Sequence, residues 1–110
     1  MKIQSIMLSE NKQAYELLYK GEVIAEAIVS METYWDGDKT WLMVPQVSYL
    51  LGTESGKRQI LYYFISHAKS PLLVNLSHRT IPVLKELGFT NVGSRYVWTP
   101  FKSANKKEGA

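Results

Sequence analysis

The chain has 110 residues, 45% of them hydrophobic and 21% charged, with a net charge of +3 and no cysteine. That length supports one core, which buries roughly two-thirds of the surface an unfolded chain exposes, and the missing cysteines exclude disulfides and thiolate metal sites. No apolar run approaches the ~18 residues of a membrane span, and Met1-Lys2-Ile3-Gln4-Ser5 lacks the charged, apolar, small order of a secretion signal. The excess positive charge sits largely at the end, where Lys102, Lys106 and Lys107 stand against Glu108 alone. The rest is close to neutral, so neither a membrane nor nucleic acid is the expected partner. Residues 1–100 are expected to form one domain, and 101–110 a basic, frayed tail.

Residues 3–8 read as a short strand and Ser9 to Gln13 as a turn. Ala14 to Tyr19 then alternates, with Tyr15, Leu17 and Tyr19 on one face. Val23 to Met31 alternates again, and Lys20-Gly21 between the two runs has the form of a two-residue hairpin turn. Asp36-Gly37-Asp38 is a second turn, flanked by Trp35 and Trp41. Trp41 to Val47 is apolar enough for a strand covered on both faces, with Pro45 marking an end, a bulge or an edge.

Gly52 to Gly56 reads as a loop. From Lys57 to Lys69, Ile60, Leu61, Phe64, Ile65 and Ala68 form a helical stripe, which Ser70-Pro71 ends. Leu72 to Leu76 is a central strand. Ile81, Leu84 and Leu87 have helical spacing, Pro82 restricts the helix start to about Arg79 or Thr80, and Gly88 suits a left-handed C-terminal cap. Phe89 to Thr99 returns to strand character around a turn at Gly93. The order implies an α+β (α/β layered) domain with helices on a mixed sheet.

The segment Ser77 to Gly93, with its helix ending in Leu87-Gly88-Phe89, resembles the C-terminal motif of the GCN5-related N-acetyltransferase (GNAT) superfamily. Trp41 to Ser66 lies where that superfamily has its acyl-CoA strand, phosphate loop and following helix. The tryptophan-led strand, Ser55-Gly56-Lys57 and Ser77-His78 are similar to small tailed-phage GNAT-like proteins, including virion proteins. The resemblance implies a mostly antiparallel sheet with two main helices and a site for acetyl-CoA or CoA. That site would be formed by Val44, Gln46, Val47, Gly52, Ser55, Gly56, Lys57 and Arg58. A helix N-terminus offers amides and a positive dipole end to pyrophosphate, and Lys57 and Arg58 add charge-assisted contacts.

Three departures bear on catalysis. The superfamily's Gln/Arg-x-x-Gly-x-Gly/Ala loop is not matched, and Glu54 brings a carboxylate towards the phosphates. The tyrosine that serves as general acid four residues before the motif glycine is Leu84 here, and the asparagine eleven residues before it is Ser77. Residues 9–13 are too few for the helix pair that shapes the acceptor side, so the fold is expected to be truncated. These departures favour a protein that works by binding, as a virion component or host-directed factor in the host cytoplasm or virion, with a protein partner or homodimer. The alternative is an N-acyltransferase whose acceptor site a second subunit completes. Glu32, Asp36 and Asp38 are the nearest general-base candidates, although turn chemistry accounts for both aspartates. No metal is expected, because His67 and His78 have no accompanying ligands. Tyr62 and Trp35 lie off the core pattern and are expected at an exposed surface.

Overall fold

The computed structural model describes residues 2–35, 41–75 and 81–100. Their order is β1 (Lys2–Ser9), β2 (Lys12–Tyr19), β3 (Glu22–Trp35), β4 (Trp41–Gly52), α1 (Glu54–His67), β5 (Leu72–Val74), α2 (Ile81–Glu86), β6 (Thr90–Val92) and β7 (Arg95–Trp98). The strands form one sheet in the order β1-β2-β3-β4-β5-β7-β6. Every pairing is antiparallel except β4 with β5. Among the described residues no helix precedes α1, and β1 turns directly into β2, so the truncated mixed sheet is what forms.

Local chemistry explains the hairpins. Lys20 and Gly21 both take positive φ, 52° and 82°, the conformation a two-residue turn needs to match the strand twist. Alternation then assigns the faces. Leu17, Ala25, Ala27, Val47, Leu72, Val74 and Tyr96 face the helices and form the main core with Ile60 and Leu61 of α1 and Val83 and Leu84 of α2. On the opposite face a smaller cluster joins Val44, Leu73 and Val97 with Tyr34 and Leu42. Trp98 packs against the main core. Tyr62, Trp35 and Trp41 are exposed, as the pattern requires for the first two.

Four features differ from the sequence reading. First, α1 begins at Glu54, not Lys57. Thr53 is its N-cap, and the Thr53 hydroxyl accepts the Gly56 N–H at 2.9 Å. Ser55-Gly56-Lys57 is therefore the first turn of a helix and not a loop. Second, β4 runs unbroken through Pro45 to Gly52 and sits inside the sheet. Met31, opposite Pro45, sends its own N–H to Asn11 on the β2 side. That makes Met31–Pro45 a pair without mutual hydrogen bonds, so proline's missing N–H removes nothing from the β3 ladder. Third, β5 is limited to Leu72–Val74. Fourth, α1 ends at His67, with Ala68 as its C-cap.

Gly88, at φ 94°, ends α2. Its N–H reaches Lys85 O and the Phe89 N–H reaches Leu84 O, the paired bonds of a Schellman cap. That cap is the physical content of the Leu-Gly-Phe motif. The turn at Asp36-Gly37-Asp38, the expected helix start at Arg79 or Thr80, and the tail from residue 101 lie outside the described residues.

Candidate functional site

The sheet forks between its two parallel strands. β4 and β5 are joined only where Gln46 meets Leu73 and Val47 meets Val74, with a last bond from the Asn75 N–H to Val47 O at 3.1 Å. β4 then continues from Ser48 to Gly52 paired with β3 alone. A β-bulge marks the point of departure. Val47 opposes Val29 and Tyr49 opposes Ile28, so Ser48 is the extra residue, and its hydroxyl donates to Ile28 O at 3.3 Å. A bulge bends its strand and increases the local twist, which carries β4 away from β5 at this position. On the β5 side of Ser48–Gly52, the described residues leave a stretch of backbone with no strand against it.

The head of α1 stands at the end of that open arm. Its position is set by Ile24, which bulges from β3 between the Leu17–Ala25 and Leu18–Val23 pairs. The Thr53 N–H donates to Ile24 O at 3.1 Å. Gly52 (φ 142°) and Gly56 both lie against the same stretch of β3. A Cβ on Gly56 would come within 2.7 Å of Ile24 O, and one on Gly52 within 2.6 Å of Ala25 Cα. Both glycines are thus required by packing, whatever binds at the fork. Helix geometry leaves the Glu54 and Ser55 amides without intrahelical acceptors. They are the groups at this end that can meet an anion.

The residues expected at the site divide into three sets. Gly52, Ser55, Gly56 and Lys57 lie together at the helix head. Val44, Gln46 and Val47 lie at the closed end of the fork: Val44 and Val47 are fully buried, and Gln46 Oε1 accepts from Arg95 Nη1 at 3.4 Å. The opening is therefore beside Ser48 to Leu51, one half-strand beyond Val44–Val47. Arg58 is turned to α2, where its Nε meets Glu86 Oε2 at 2.5 Å. Sequence reasoning missed Thr53, Ser48 and Ile24. A threonine followed at once by Glu54 is a legible N-cap signal, whereas neither bulge has a glycine or proline to announce it.

Leu84, which stands where the superfamily's tyrosine acid would be, is fully buried in the main core. Glu32 is partly buried on β3 opposite Val44. Asp36, Asp38, Ser77 and His78 lie outside the described residues. Among the described residues, no three His, Cys, Asp or Glu side chains are placed to hold a metal, and no helix is long and apolar enough to cross a membrane.

A second concavity lies at the other end of α1. It is a groove of about 230 Å³ lined by Tyr15, Pro45, Tyr63, Phe64, His67 and Leu72, among others. Tyr15 meets Phe64 edge-on, with ring centroids 4.9 Å apart, and its hydroxyl donates to Gln13 Oε1 at 3.3 Å. Burial, with a smaller contribution from Tyr63, holds the Tyr15 phenol above its usual pKa of 10.0.

No protein-family model and no functionally described protein matches the sequence. Solved structures do match in fold. The KacTA–DNA complex aligns with TM-score 0.62 at 10% identity, over 93% of this chain and 76% of that one. The E. coli protein YhhK, solved with coenzyme A bound, aligns with TM-score 0.61 at 14% identity, over 87% and 77%. The toxin AtaT, solved with acetyl-CoA and the C-terminus of the antitoxin AtaR, aligns with TM-score 0.56 at 13% identity, over 83% and 69%. At these identities the likeness is one of fold, and the fold is that of the GNAT superfamily.

Proposed function

We propose that this GNAT-fold protein binds acetyl-CoA or CoA in the fork between β4 and β5 and acts by binding, not by acyl transfer. The observation that carries the reading is the joint placement of the open β4 arm and the α1 head. Backbone groups of Ser48 to Leu51 can pair with pantetheine amides, and the Glu54 and Ser55 amides can receive the pyrophosphate, with Lys57 adding charge. Two of the similar folds were solved with coenzyme A or acetyl-CoA, which supports this choice of ligand. The buried Leu84 in place of a tyrosine acid supports binding over turnover. A protein partner fits this reading, as AtaT is bound to a segment of AtaR. The role as a virion component or host-directed factor rests on the tryptophan-led strand, Ser55-Gly56-Lys57 and Ser77-His78.

Calorimetric titration with acetyl-CoA tests the site. Saturable binding that Lys57→Glu weakens about tenfold is the expected result, and no heat at millimolar ligand overturns it. Release of free thiol in the presence of a panel of amines would overturn the binding role in favour of an N-acyltransferase.

A further inference from the structure

The fork leaves unused the outermost strand of the sheet. β1 is eight residues long and, among the described strands, pairs with β2 alone. Half of its backbone N–H and C=O groups therefore point outward with no strand to receive them. Proteins ordinarily guard such an edge with charge, proline, a bulge or brevity. The opposite edge is brief, since β6 has three residues. β1 has no proline and a single charge, Lys2. Its one irregularity, between Met7 and Ser9, leaves Lys2 to Met7 regular. Three of its four apolar side chains are open to solvent as well: Ile6 is 55%, Met7 73% and Leu8 53% exposed, while Ile3 packs partly against the main core.

We infer that β1 pairs antiparallel with β1 of a second copy, about a two-fold axis at Ile6, joining two sheets into one. An extended backbone edge is satisfied by another strand, and the charges select this one. Lys2 opens the strand and Glu10 stands just past its end, both exposed. Antiparallel self-pairing sets Lys2 of each copy beside the Glu10 end of the other, which gives two complementary pairs and no like-charge contact. Opposed residues share a face, so the two Ile6 side chains adjoin on one side of the joined sheet, while on the other each Met7 stands opposite Ser5 of the second copy.

A strand of this length spans ~27 Å. Its pairing buries on the order of 1,000 Å² in total, at the lower end for specific association, so a weak, concentration-dependent dimer is expected. The inference is independent of the acyl-CoA reading, because two strands separate β1 from β4 and the fork in each copy stays open.

Sedimentation velocity from about 1 to about 500 µM is expected to show a monomer–dimer equilibrium. Ile6→Lys places two like charges at the axis and should leave a monomer whose thermal melt matches the parent's at concentrations where the parent is itself monomeric. Lys2→Glu should weaken the dimer about tenfold, and Lys2→Glu with Glu10→Lys should restore it. In this cysteine-free chain, Ile6→Cys should oxidise to a covalent dimer while Val92→Cys, on the opposite edge, should not. A monomer at every concentration, a dimer indifferent to Ile6→Lys, or equal cross-linking at Ile6 and Val92 overturns the inference.

Discussion

β4 is two strands in one. In its first half Val44 and Val47 are fully buried, and Gln46 and Val47, unlike Trp41 to Pro45, pair with β3 on one side and β5 on the other. In its second half Tyr49 and Leu51 are 41% and 53% exposed and the backbone is paired on one side only. A single extra residue, Ser48, separates them. The closed half joins the two parts of the sheet, and the open half leaves its β5-side backbone without a described strand against it. One bulge divides a doubly paired segment from a singly paired one along a continuous chain.

The comparison breaks most sharply if charge is placed in each half. Val47→Asp buries an unpaired carboxylate and is expected to cost more than about 4 kcal/mol, enough to abolish cooperative unfolding in urea. Leu51→Asp, four residues along the same strand, should stay within about 0.5 kcal/mol of the parent. A smaller effect sharpens the helix-head side. Glu54 favours the α1 dipole but opposes a phosphate, so Glu54→Gln should lower stability by about 0.3–1 kcal/mol while tightening acetyl-CoA binding two- to five-fold by calorimetry. Binding and stability moving together would sink that account.

The smallest effect concerns the far end of α1. Because the folded Tyr15 pKa lies above its unfolded value of about 10, Tyr15 supports the fold fully below that pH, and its contribution is lost as pH rises through the folded pKa. Tyr15→Phe should flatten the alkaline fall in stability. Absorbance titration of the parent should show one phenol ionising later than the exposed ones.

How much of this was legible depends on whether a feature is local. Lys20-Gly21, the Ile60–Leu61–Phe64–Ile65 stripe and Gly88 each carry their signal within a few residues, and all three stand where the sequence puts them. The place where the fork opens is not local. It depends on Ser48 failing to find an opposite residue in β3, and no property of serine announces that. Pro45 reads as a strand end, a bulge or an edge only until the β3 register is known. Gly52 and Gly56 read only as parts of a loop and of a site, and the reason they are glycine was not legible: their neighbour is the Ile24–Ala25 backbone, which the sequence alone does not bring near. Arg58 looked free until Glu86, 28 residues on, came within reach.

The Ile24 carbonyl has a consequence for how a ligand would be received. Clamped between two glycines and holding the Thr53 amide, it fixes the axial height of α1 before anything arrives. A guest at the helix tip would meet a seat already in place, so little of its binding energy would go into rearranging the host.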